Sequence, residues 1–138
     1  MILINFAHPI TSNQRAQIES LAGEQLSEIY DIAVHFDFQA PFIPQVQQML
    51  DQVGMTSAAW QEKGLLINLP SFNIIAAALL AELHGRLGHF PAVLLVRTAG
   101  GPITQYEVAE IINLQAIRDA SRAGRYSENE KSPRATDA

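Results

Sequence analysis

Three short polar stretches carry the residue types that could do chemistry here. The first is Asn5, His8, Thr11 and Ser12, spaced around a turn that leads into a helix. Backbone N–H groups at a helix start favour anions, and the Thr11 and Ser12 hydroxyls add donors. Ordinary capping competes with that reading, because Thr11 followed by Gln14 three residues on has capping-box form. His8 precedes Pro9, which pushes its backbone to an extended conformation from which it faces either a ligand or solvent. The second stretch, Asn68-Leu69-Pro70-Ser71-Phe72-Asn73, is the densest. Pro70 turns the chain, Ser71 and Asn73 stand at the positive end of a long helix, and Phe72 either stacks on a base or enters the core. The third is Arg97-Thr98-Ala99-Gly100-Gly101. A guanidinium at a strand end suits a phosphate, and Gly100 and Gly101 let backbone approach a ligand closely. The alternative is a surface turn with a salt-bridged arginine.

Other chemistries lack their residues. The first turn has no glycine-rich dinucleotide fingerprint, and no GxxxxGK[ST] phosphate loop occurs. Four histidines and fourteen acids are present without HExxH or other tight metal spacing, so no metal site and no cofactor are expected. His35, near the end of the second strand, and His84 and His89, flanking the end of a helix, read as structural. There is no cysteine, which removes thiol chemistry and disulfides and fits a reducing cytoplasm.

The polar stretches must be positioned by what precedes them. Each follows an apolar β-type run: Met1–Phe6, Leu65–Leu69 and Ala92–Val96, with a fourth run at Ile29–Phe36. Helical segments separate the four. Thr11 opens the first helix, which runs to about Ala22 with Gly23 after it. Asp37–Ile43 reads as a loop; Val46, Met49, Leu50 and Val53 then recur at helical spacing up to Gly54. Thr56 caps a short helix through Glu62, and Ser71 or Asn73 caps a helix ending near Gly88. Thr98–Thr104 is a Gly-Gly-Pro loop, Gln105–Ile112 fits strand and helix equally, and Asn113 caps a last helix over Leu114–Ala123. This alternation predicts an α/β fold with a mainly parallel sheet flanked by helices, where ligands bind outside the carboxyl ends of the strands.

The 138 residues fit one domain, 1–126, with a polar tail from Ser127 that cannot bury enough surface to order itself. The net charge of −5 argues against a surface for long nucleic acid, while leaving room for a local basic pocket. No apolar run approaches a membrane span or a signal-peptide core, so the expected compartment is the cytoplasm.

The blocks ILINFAHPIT, LLINLPSFNIIAAALLAELHGRLGHFP and YEVAEIINLQAIRDASR resemble a small family of stand-alone CRISPR-associated proteins encoded beside type III systems. The resemblance spans Met1 to about Arg122. It implies a Rossmann-like, CARF-like domain that binds a cyclic oligoadenylate, most readily cyclic tetra-adenylate, across the two-fold axis of a homodimer, with larger assembly on ligand binding an open option. Asn5, His8, Asn68, Ser71 and Asn73 are the positions carried over as ligand contacts. Three functions are expectations: a binder that senses or sequesters the messenger, as the resemblance implies; a metal-independent ring nuclease in which, from their places after the strands, His8 is the base and Arg97 stabilises the transition state; or, apart from the resemblance, an unrelated Rossmann-like nucleotide enzyme.

Overall fold

The computed structural model describes residues 1–125, so the expected disordered tail lies outside the described residues. A five-stranded sheet has the order β2-β1-β3-β4-β5. Its strands are β1 (Ile2–Asn5), β2 (Glu28–Asp31), β3 (Leu65–Asn68), β4 (Ala92–Ala99) and β5 (Gln105–Asn113). The first four are mutually parallel and β5 returns antiparallel to β4. The expected α/β, mainly parallel architecture is therefore present, in an order compatible with a Rossmann-like fold.

β1 and β3 are buried almost throughout, as continuous apolar runs at the centre of a parallel sheet must be. Their side chains alternate between two cores. Ile2, Ile4 and Ile67 face α2 (Phe42–Asp51), α3 (Ser57–Glu62) and α4 (Asn73–Leu87), meeting Leu50, Trp60 and Leu79. Leu3 and Leu66 face α1 (Ser12–Ala22), meeting Ile18. Thr11 caps α1 with the full capping box, and Gly23 ends it at φ 72°, a left-handed conformation glycine adopts without strain. Thr56 caps α3 and Asn113 caps α5 (Leu114–Gly124), as expected.

Three boundaries differ from the sequence reading by two residues or more, and one segment left open between strand and helix is resolved. β2 is only Glu28–Asp31, not Ile29–Phe36, because β1 supplies no backbone ladder beyond Asn5; the last link is Ile32 N–H to Asn5 C=O at 2.9 Å. Ile32, Val34 and Phe36 still pack on the core, which is why they are apolar. α2 begins at Phe42, so the loop after Asp37 is shorter than Asp37–Ile43. β4 runs to Ala99, so Arg97 and Thr98 lie within a strand, opposite Glu107 and Tyr106, and not at its end. Only Gly100–Thr104 remains as the hairpin turn. Finally, Gln105–Asn113 is a strand whose alternation is broken by a bulge: Leu95 faces Glu110 while Val96 faces Val108, leaving Ala109 as the extra residue.

β5 is an edge strand, yet its outer edge is covered in part. Gln14 Nε2 donates to the Tyr106 carbonyl at 3.2 Å, and Val108 N–H donates to Gln17 Oε1 at 2.8 Å. Two side chains of α1 thus take backbone groups that the ladder leaves open.

Candidate functional site

The chain leaves β1 through α1 towards β2 on one side and leaves β3 through α4 towards β4 on the other. A crevice must open between the carboxyl ends of β1 and β3, where the two connections part. The loops that border it are Phe6–Thr11 and Leu69–Phe72. Two clefts lie there. One, of about 620 Å³, is lined by Phe6, Ala7, His8, Val34–Phe36, Phe38, Pro70–Phe72 and Ile75. The other, of about 440 Å³, is lined by Ala7–Ile10, Gln14, Asn68, Leu69, Ser71, Leu94–Val96 and Tyr106. Ala7, His8 and Ser71 belong to both and form the wall between them. Both volumes suit a nucleotide-sized ligand.

Asn5 and Asn68 hold that wall in place. They are direct partners in the β1–β3 register, and they are 1% and 7% exposed. Asn68 Nδ2 donates to Asn5 Oδ1 at 2.9 Å, and Ala7 N–H donates to the same oxygen at 3.1 Å. Asn5 Nδ2 donates to the His8 carbonyl at 2.9 Å and to Asp31 Oδ1 at 2.8 Å. An amide side chain has two N–H donors and two lone pairs, so Asn5 is saturated. It was expected to touch ligand; it is instead a buried clamp that fixes the Ala7–His8 turn. Asn68 shares that role while still lining the second cleft.

The α4 start also departs from expectation. Neither Ser71 nor Asn73 caps it: Phe72 occupies the cap position and no side chain bonds the free N–H groups of the first turn. Ser71 is exposed between the clefts and Phe72 is 51% exposed, which places this ring outside the core. At α1, by contrast, Thr11 Oγ1 accepts from Gln14 N–H at 3.1 Å, so this hydroxyl serves the helix, with Ser12 exposed beside it.

The third stretch stands apart. Arg97 lines neither of these clefts; it lies in a shallow depression beside Ala16, Gln17, Ser20 and Leu21 of α1, with Nε 3.0 Å from Glu107 Oε1. Such an exposed pair contributes about 0.5 kcal/mol or less. Thr98, Gly100 and Gly101 belong to the exposed hairpin end, where Gly101 takes φ 139°. The strand-end assignment of Arg97 failed because β4 continues three residues past Val96.

Sequence reasoning missed the aromatic side of the larger cleft. Phe36, Phe38 and Phe42 come from the segment after β2 and join Phe72 in a chain of rings: Phe36–Phe42 at 5.1 Å, Phe38–Phe42 at 6.5 Å and Phe38–Phe72 at 5.3 Å between centroids. The cue was three phenylalanines within seven residues, too irregular for a helix or strand face. His35 lines the same cleft. Among the described residues no acid lines either cleft, although the chain carries a net −5. Elsewhere, the Tyr30 phenol on β2 sits above its ordinary pKa of 10.0, chiefly because it donates a hydrogen bond to Glu28, with desolvation and the Glu28 charge adding to this.

Among the described residues no cluster of three or more His, Asp or Glu is placed to hold a metal ion, and no helix is long and apolar enough to cross a membrane. His84 packs edge-on against Phe90 at 4.4 Å, consistent with a structural part. Compared with family models, curated proteins and solved structures, the chain matches none of them.

Proposed function

We propose that this protein binds a cyclic oligoadenylate, with cyclic tetra-adenylate the foremost candidate, and serves type III CRISPR defence in the cytoplasm as a sensor or sequestering buffer through a CARF-like domain. The observation that carries the reading is the pair of carboxylate-free clefts meeting at His8 and Ser71. An oligoadenylate presents phosphates that acidic walls would repel, and adenines that need flat apolar partners. The open first turn of α4 and the Ser71 hydroxyl offer donors beside those walls. The sequence blocks that resemble small CRISPR-associated proteins point the same way. A ring with two-fold symmetry is met most simply by two copies of one site, so the active species is a homodimer, and Ile74, Ala77 and Ala81 form an exposed strip of α4 open to a neighbour.

Binding without cleavage is the version favoured here. Arg97, the residue assigned to steady the charge of a cleavage transition state, lies outside both clefts. Titration of the purified protein with cyclic tetra-adenylate in a calorimeter should give saturable binding, and chromatography afterwards should return the ring intact. No heat at micromolar protein overturns the reading; linear products that vanish in His8→Ala would convert it to a ring nuclease. Arg97→Ala should leave the affinity within about twofold of wild type, as for a surface substitution away from the site. A larger loss in the same titration would return Arg97 to the site.

A further inference from the structure

A single exposed apolar side chain is ordinary on a protein surface, but here two exposed phenylalanine rings touch. Phe38 is 59% exposed and Phe72 is 51% exposed, with centroids 5.3 Å apart and planes 38° from each other. They are the outer members of a series whose inner members, Phe36 and Phe42, pack on the core. The wall is therefore supported from beneath.

It is also held rigidly from the side. Phe38 sits in a loop with no strand or helix of its own, and Gln45 from α2 supplies the missing partners. Gln45 Oε1 accepts from Asp37 N–H at 2.8 Å, and Gln45 Nε2 donates to the Asp37 carbonyl at 2.8 Å and the Pro41 carbonyl at 2.9 Å. Asp37 Oδ1 in turn accepts from Gln39 N–H at 2.9 Å. A loop that was merely a connection would need no such lock around one outward-facing ring. Preorganised flat apolar surface is what an aromatic ligand gains most from.

His8, His35 and Ser71 line the same cleft, all capable of hydrogen bonds and none negatively charged at neutral pH. The cleft thus combines exposed aromatic rings with polar side chains, and no acid among the described residues lines it. A purine nucleotide offers a partner for each, a π-face for the rings and ribose and phosphate for the hydrogen-bonding groups.

We propose that Phe38 and Phe72 form a base-stacking wall that takes one purine of the ligand, held ready by the Gln45 clamp. The inference deepens the reading given above and rests on it for the identity of the base.

The test uses 2-aminopurine riboside 5′-monophosphate, whose fluorescence falls when it stacks on an aromatic ring, titrated to millimolar concentration with the full chain. Wild type and Phe38→Tyr should quench the probe saturably. Phe38→Leu and Phe72→Leu keep apolar bulk without the ring, and each should weaken binding about tenfold. Far-UV circular dichroism confirms that these exposed-site variants stay folded. Quenching by both leucine variants equal to wild type overturns the proposal, and so does a folded wild type that never quenches. Calorimetry with cyclic tetra-adenylate runs alongside. Ring binding without quenching sinks the wall and spares the proposed function, whereas quenching without ring binding upholds the wall and sinks that function.

Discussion

Replacing Asn5 by alanine is expected to destabilise the fold by about 3 kcal/mol, read as a shift in the urea or thermal unfolding midpoint. The cost comes from what is left behind. Asn68 Nδ2 loses its acceptor while remaining buried, and the Ala7 N–H and His8 carbonyl lose the partner that fixes their turn. Asp31 contributes less because its carboxylate is exposed and regains water. Asn68→Ala should cost about half as much, since Asn5 then keeps its three other bonds. Asn5→Asp makes the sharper test. It sets a second carboxyl against Asp31, where Asn5 Nδ2 now donates at 2.8 Å. Repulsion raises the pKa of the new carboxyl in the folded state above its unfolded value of about 3.9. The folded form then holds its proton more tightly, so this variant should be most stable below about pH 4 and lose stability as pH rises through the folded pKa. Wild-type stability in Asn5→Ala, or a pH-independent Asn5→Asp, would remove the clamp from the account.

The second large effect is expected on binding. Ser71→Glu introduces a carboxylate at a residue shared by both clefts, close to where phosphates are proposed to lie. At a separation of a few ångströms in a partly screened environment, this repulsion amounts to about 2–3 kcal/mol, or about a hundredfold in affinity for cyclic tetra-adenylate. Ser71 is exposed, so the unfolding midpoint should stay near wild type. Raising the salt concentration should recover part of the lost affinity, because screening weakens the repulsion. Ser71→Ala should lose only the hydroxyl's share, a few-fold at most. Undiminished binding by Ser71→Glu would mean that the ligand sits elsewhere.

A feature is legible in the sequence when the information that decides it is local. The runs that became β1, β3 and β4 are continuous and apolar, so their existence and their polar endings were legible. So were the caps at Thr11, Thr56 and Asn113, because a cap is decided by residues within one turn. The length of β2 was hidden, since it depends on how far β1 extends alongside it. β5 was hidden because the extra residue at Ala109 moves its apolar side chains from one face to the other. The length of β4, and with it the place of Arg97, followed from that same hairpin.

The site was legible to the same degree. His8, Ser71 and Phe72 were expected at the strand ends and do line the clefts. Asn5 and Asn68 were expected beside them and are there, but as each other's partners. Only the cross-strand register brings the two together, and register is invisible in a single strand. Phe38 was not legible as a site residue because its ring partners, Phe42 of α2 and Phe72 before α4, come from different elements.

The treatment of the sheet's two borders carries a consequence for how copies of the molecule can associate. On the β5 border, Gln14 and Gln17 already occupy backbone groups that an incoming chain would need. On the β2 border only four residues are extended, and the strand begins with Glu28 and ends with Asp31. Neither rim is a good template for accretion of further chains by main-chain pairing, which needs length and low charge. Crowded copies should therefore resist amyloid-like stacking, and any ordered multimer must be joined through its side-chain faces.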